Sequence, residues 1–138
     1  MKKNFKMLVA VMLVLMLTLA MAGCGSDGNG GELITVKDGD IVGEGAITMS
    51  VKIVDEDEIN VTVKTDEDTV GAALQKVGLI AGEDSQYGLY IKTVNNKTYD
   101  YDKDKKYWAF YVDDAYAIKS ADLTEIEEGV VYTFKVEE

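Results

Sequence analysis

The clearest pattern along the chain begins at Ala46. Ile47, Met49, Val51 and Ile53 alternate with Thr48, Ser50 and Lys52, so an extended chain here has one apolar and one polar face. Asp55 to Glu58 supply an acidic turn, after which Ile59, Val61 and Val63 alternate with Asn60, Thr62 and Lys64. Two such runs joined by a short turn predict a β-hairpin. The period then changes. Val70, Ala73, Leu74 and Val77 fall at i, i+3, i+4 and i+7, which predicts one short amphipathic helix over about residues 69–78. Asp68 or Thr69 is placed to cap it and Gly78 to stop it. Strand patterns return over Gly88–Val94, Lys97–Tyr101, Tyr107–Val112, Ala115–Ile118 and Val130–Val136. The pairs Asn95-Asn96 and Asp113-Asp114 and the run DKDKK read as the turns between them. A hairpin, a crossing helix and further strands predict an α+β domain, a mixed sheet with one helix over one face, in the order of a β-grasp arrangement.

Upstream of that domain the chemistry is different. Lys2, Lys3 and Lys6 precede an apolar run from Met7 to Leu17, which continues after Thr18 from Leu19 to Ala22 and ends in Gly23-Cys24. A charged start, an apolar middle and small residues before a cysteine are the features of an export signal, so residues 1–23 are read as a cleaved lipoprotein signal peptide. Cys24 is the only cysteine in the chain and is followed by GSDGNGG, where a thiol has no core to pack in and no partner for an intrachain disulfide. Lipidation of Cys24 accounts for both facts. Residues 24–45 are then the lipidated cysteine, a glycine-rich tether and a leader whose glycines interrupt any strand period. Residues 46–138 form the single folded domain. The expected location is the outer face of a Gram-positive cell membrane, held there by lipid.

Charge narrows the partners. The chain carries 25 acidic side chains against 14 lysines, with no arginine, histidine or proline. Loss of Lys2, Lys3 and Lys6 with the signal takes the formal charge from −11 to −14. Such a chain repels phosphate backbones and anionic headgroups, which argues against nucleic acid and against adhesion to a membrane by charge. With no histidine and one committed thiol, no Ser-His or Cys-His nucleophile and no soft metal site can be assembled. Adjacent acids such as Asp113-Asp114 and Glu127-Glu128 sit in turns, so no catalytic residue is assigned and an enzyme is not expected. In DYDKDKK, Asp100, Asp102 and Asp104 match the start of a calcium loop. The required glycine and bidentate glutamate are replaced by Lys105 and Tyr111, so the run reads as a solvated tip and no metal ligand is assigned.

From Asp68 to Glu137 the chain resembles a family of bacterial surface lipoprotein domains that is similar to the C-terminal β-domain of transcobalamin and intrinsic factor. The pieces that carry the resemblance are TVGAAL, GLI, YGLYIKTV, YWAFYVDD and YTFKVE, with GEGAITMSVKIVDED from Gly43 as the approach to the domain. The resemblance implies a β-grasp-like fold and a site for a corrinoid, such as cobalamin, or another flat ligand. It equally allows a role as a cell-surface module that docks a protein or polymer and takes no small molecule.

Within YWAFYV, alternation turns Trp108, Phe110 and Val112 to one side, expected to pack under the helix, and Tyr107, Ala109 and Tyr111 to the other. Eight tyrosines lie between Tyr87 and Tyr132, enough for an aromatic platform that stacks a planar ring or a sugar. The same density also suits ordinary cross-strand pairing. Taken with the family motifs, the alternation nominates Tyr87, Tyr90, Tyr107, Trp108, Tyr111 and Tyr116 as ligand contacts.

Overall fold

The computed structural model describes residues 32–138; the expected signal segment, Cys24 and the glycine tether lie outside the described residues. The predicted hairpin forms from β2 (Ile47–Val54) and β3 (Glu58–Thr65), paired antiparallel with Val51 opposite Val61. Met49, Val51, Ile53, Val61 and Val63 are all buried, so the alternation read from the sequence is the inward face of the sheet.

The helix α1 spans Val70–Val77, and both of its ends follow from local chemistry. Thr69 is extended, and its Oγ1 accepts from the Ala72 N–H at 3.3 Å. Gly78 ends the helix at φ 80°, a left-handed conformation that costs glycine little. A side chain there would also meet the carbonyl oxygen of Glu32, 1.9 Å from an ideal Cβ. Within the helix, Gly71 lets the 3₁₀ turn Ala121–Leu123 approach so closely that an added Cβ would stand 2.5 Å from the Asp122 backbone.

After the helix, β4 (Ile80–Ser85), β5 (Gly88–Val94) and β6 (Lys97–Thr98) form a separate three-stranded antiparallel sheet. Then a helical turn α2 (Tyr101–Asp104), β7 (Tyr107–Val112), β8 (Ala115–Tyr116) and β9 (Val131–Glu137) complete the chain. The large sheet has the order β1-β3-β2-β9-β7-β8, with β1 being Ile41–Gly43. It is mixed: β9 lies parallel to β2 and antiparallel to β7, and β1 lies parallel to β3. Strand dominates and helix is scarce, so this is a mostly β domain built on a mixed sheet.

The core lies between the sheets and the helix. Phe110 stacks on Phe134 with ring centroids 5.1 Å apart, and on Tyr132 at 6.3 Å. Leu74 of α1, Leu79, and Ile80 and Val94 of the small sheet are buried in the same cluster. Each such side chain removed from water stabilises the fold by roughly 1.5–3 kcal/mol. Tyr132 is fully buried because its hydroxyl is satisfied, accepting from the Glu127 N–H at 2.8 Å and donating to the Glu125 carbonyl at 3.3 Å. Among the described residues every buried member of this core falls between Val36 and Phe134, all within a fragment that starts at Ser26.

Three expectations are corrected, and one strand is added that the sequence did not announce. Residues 32–45 are not a loose leader throughout: Val36 is buried, Ile34 N–H bonds the Gly78 carbonyl at 3.0 Å, and β1 adds an edge strand. Its glycines break the period without preventing a three-residue parallel pairing. The strand β4 carried no alternation because only Ile80 faces the core, and the pairing with β5 holds it extended. The strand expected over Lys97–Tyr101 stops at Thr98, where Asp100 caps α2 by accepting from the Asp102 N–H at 3.0 Å. The strand expected to reach Ile118 stops at Tyr116. The turns, by contrast, fall as read: Asn95-Asn96 and Asp113-Asp114 all have positive φ, the geometry of two-residue hairpin loops.

Candidate functional site

A cleft of about 350 Å³ opens between the small sheet and the β7–β8 end of the large sheet. Five of the six nominated residues line it: Tyr87, Tyr90, Tyr107, Trp108 and Tyr116. Its floor is apolar, made by Leu89 and Ile91 of β5 and Phe110 of β7. The remaining wall is the segment after β8, from Ala117 to Ala121.

Each aromatic reaches the cleft for a local reason. Tyr87 sits in the β4–β5 turn, where Ser85 Oγ accepts from the Tyr87 N–H at 3.2 Å and donates to the Gly88 carbonyl at 2.6 Å. The turn presents Tyr87 at 80% exposure. Tyr90 follows on β5, with the Lys92 ammonium 5.9 Å from its ring centre. Tyr107 opens β7 and Tyr116 closes β8, so the two flank the mouth. The Ala117 N–H bonds the Phe110 carbonyl at 3.0 Å, which carries the β7–β8 pairing one step further and sets the direction of the following segment. Asp122 Oδ1 then ties that segment to the other wall, accepting from the Leu89 N–H at 2.9 Å and from the Ser120 hydroxyl at 2.5 Å.

Trp108 is buried but does not lie under the helix as its alternation suggested. Its ring packs edge-on against Tyr99, with centroids 5.6 Å apart, and its indole N–H donates to the Lys97 carbonyl at 3.0 Å. The small sheet, absent from the sequence reading, is what covers it. Tyr99 in turn donates to both carboxylate oxygens of Asp55 at 3.0 and 3.1 Å, and Lys97 pairs with Asp55 at 3.1 Å. Burial first, and then the Asp55 carboxylate, push the Tyr99 phenol above its usual range. The bond to Asp55 raises the Lys97 ammonium likewise.

Tyr111 is the nominee that the structure separates from the cleft. It faces the outer side of the large sheet, where it borders a second hollow of about 270 Å³ with Lys52, Lys135 and Thr133. Its hydroxyl donates to Glu137, and Tyr107 donates to the other carboxylate oxygen of Glu137 at 3.3 Å. That bond is the largest cause of a Tyr111 phenol pushed up to about 12; for Tyr107, which is also raised, burial leads. Tyr111 still acts on the cleft at one remove, because its ring packs edge-on against Tyr116 at 5.4 Å.

Sequence reasoning missed Leu89, Ile91 and Phe110 as the floor and Ile118, Lys119 and Ser120 as a wall. One signal was available: Ile118 is a large apolar residue followed directly by Lys119 and Ser120, and in the structure it is 98% exposed. Among the described residues no group of three or more histidine, cysteine, aspartate or glutamate side chains is arranged to hold a metal ion. Among them, too, no helix is long and apolar enough to cross a membrane.

The described residues thus form a mostly β domain on a mixed sheet, with an aromatic-lined cleft beside it. The chain belongs to the family described as domain of unknown function DUF4430, whose model matches residues 67–138. Among solved structures it is similar to a protein of Ruminococcus gnavus described as a candidate metal-binding protein. The two are 27% identical with a TM-score of 0.62, over 67% of this chain and 98% of that one. It also shares its fold with haptocorrin, solved in complex with Cbi, at 16% identity and a TM-score of 0.54. That match covers 67% of this chain but only 25% of haptocorrin. No curated protein sequence matches the chain significantly.

Proposed function

We propose that this chain is a membrane-tethered, extracytoplasmic binding lipoprotein that captures a corrinoid or a similar planar molecule in the cleft between its two sheets. The observation that carries this reading is the convergence of Tyr87, Tyr90, Tyr107, Trp108 and Tyr116 on one cleft of about 350 Å³. That volume lies in the range of small-molecule sites, and flat aromatic walls with phenolic tips suit a planar ring with a polar edge. The hairpin, helix and parallel return of β9 beside β2 are read as a β-grasp-like sheet. The fold shared with haptocorrin, a protein solved with Cbi bound, supports the corrinoid choice.

In this reading the role is capture and hand-over to a membrane transporter, without catalysis and without nucleic acid. Cys24 carries the lipid after removal of residues 1–23, and the lipid holds the domain outside the cell. A second reading, docking of a surface protein or polymer, draws on the exposure of Ile118 and Tyr87 at the rim of the cleft.

The test is equilibrium dialysis of the fragment from Ser26 against cobinamide and cobalamin. Retention of one ligand per chain, lost when Tyr87 and Tyr116 are both changed to alanine, is expected. Absence of retention up to about 50 µM, an interaction weaker than roughly 6 kcal/mol, contradicts the corrinoid reading and leaves the docking module.

A further inference from the structure

The charge lining the cleft is the reverse of the charge on the chain. The protein has a formal net charge of −11 and 25 acidic side chains, yet among the described residues no carboxylate lines the cleft. Of the residues that do, Lys119 alone is charged. Two carboxylates adjoin lining residues along the chain, Asp84 beside Ser85 and Asp122 beside Ala121, and the Oδ1 of Asp122 is occupied by the Leu89 N–H and the Ser120 hydroxyl. The ion pairs among the described residues are Lys52–Glu58, Lys76–Glu67, Lys92–Glu83 and Lys97–Asp55, so Lys119 enters none. The Lys119 ammonium stands at the edge of an apolar, aromatic hollow with no internal counter-ion.

We infer that the cleft takes a flat ligand bearing an anionic group, and that Lys119 reads that group. This rests on the proposed small-molecule cleft and adds a charge to its ligand. The aromatic walls accept any flat ring, since every π-face stacks, and so carry little discrimination by themselves. A cationic substituent placed beside Lys119 is repelled, and a neutral one gains nothing from it. A sulfonate, carboxylate or phosphodiester gains a charge-assisted contact with an ammonium that no carboxylate among the described residues pairs with.

Two probes separate this from mere stacking: 8-anilinonaphthalene-1-sulfonate and N-phenyl-1-naphthylamine, which share one ring system with and without the anionic group. Their affinities for the Ser26 fragment are compared with those for its Lys119→Gln and Lys119→Glu variants. Loss of the lysine should weaken the sulfonate probe by roughly 1.5- to 5-fold, the range of an exposed ion pair. Charge reversal should weaken it further, while the neutral probe stays constant across all three proteins. The Tyr87→Ala, Tyr116→Ala double variant should weaken both probes, which locates them in the cleft. An affinity ratio that is the same in all three proteins, or no binding of either probe, overturns the inference. Among corrinoids the same logic favours cobalamin, which has a phosphodiester, over cobinamide, which lacks one. If neither corrinoid binds while the probe ratio follows Lys119, the corrinoid reading fails and the charge reading stands.

Discussion

The Tyr111 hydroxyl donates a hydrogen bond to Glu137, across the pairing of β7 with β9, and the same carboxylate receives Tyr107 at 3.3 Å. One glutamate on the outer face of the sheet thus fixes two phenols. Tyr107 lines the cleft itself and Tyr111 supports Tyr116, which does.

This arrangement has a pH signature. Ionising Tyr111 places a second negative charge beside Glu137, so the folded state holds the phenolic proton up to about 12 against an ordinary 10.0. A group whose folded pKa is raised contributes stability that is complete below the unfolded value and lost as pH rises through the folded one, here from about pH 10 to about 12. Ultraviolet titration of tyrosinate should show a late-ionising phenol in the parent protein. Glu137→Gln should move that phenol back toward the ordinary range; an unchanged titration curve would show that Glu137 is not its cause.

Thr133 has a buried side-chain oxygen without a hydrogen-bond partner among the described residues. Valine has the same shape and no hydroxyl to desolvate, so Thr133→Val should stabilise the domain by about 1 kcal/mol. Urea denaturation checks this. A lower midpoint would mean that the hydroxyl is satisfied in solution.

Rim and core substitutions should separate cleanly. Tyr87 and Tyr116 are 80% and 60% exposed, so their alanine variants should lose ligand affinity with melting temperature nearly unchanged. Leu74, on the buried face of the helix itself, is fully inaccessible, and Leu74→Ala should cost about 2–5 kcal/mol. Calorimetry of the three variants reads both effects, and a large drop in melting temperature for Tyr87→Ala would place that ring in the core.

At Gly78, alanine meets two penalties, a left-handed backbone and the Glu32 carbonyl. Gly78→Ala should destabilise by more than about 1 kcal/mol, read from the urea midpoint. A neutral result would show that residues 32–34 shift aside freely and do not belong to the fold.

The elements that could be read from the sequence are those whose own residues determine them. Alternation from Ile47 to Val63 marked the hairpin, Thr69 and Gly78 marked both ends of the helix, and the Asn and Asp pairs marked two hairpin turns. What stayed hidden depends on partners far along the chain. The strand β4 is polar after Ile80 and exists through its pairing with β5, so no local period announces it. Without that second sheet, Trp108 could only be assigned to the helix side, and the cleft had one wall too few. Five of the six aromatic candidates still converge there, because strand ends and turns bring tyrosines to one edge. Alternation could not separate Tyr111 from Tyr107, which shares its face: Tyr107, opposite Glu137 at the start of β7, lines the cleft, whereas Tyr111, opposite Thr133, borders the other hollow.

Trp108 is the only tryptophan in the chain and lines the cleft, so its emission reports occupancy of that site. Titration of the Ser26 fragment with cobalamin and cobinamide, corrected for ligand absorbance, should give a saturable change in that emission with one ligand per chain. The same titration of the Tyr87→Ala, Tyr116→Ala variant should give a much weaker one. Emission that stays flat up to about 50 µM of either corrinoid would contradict a corrinoid site between the two sheets.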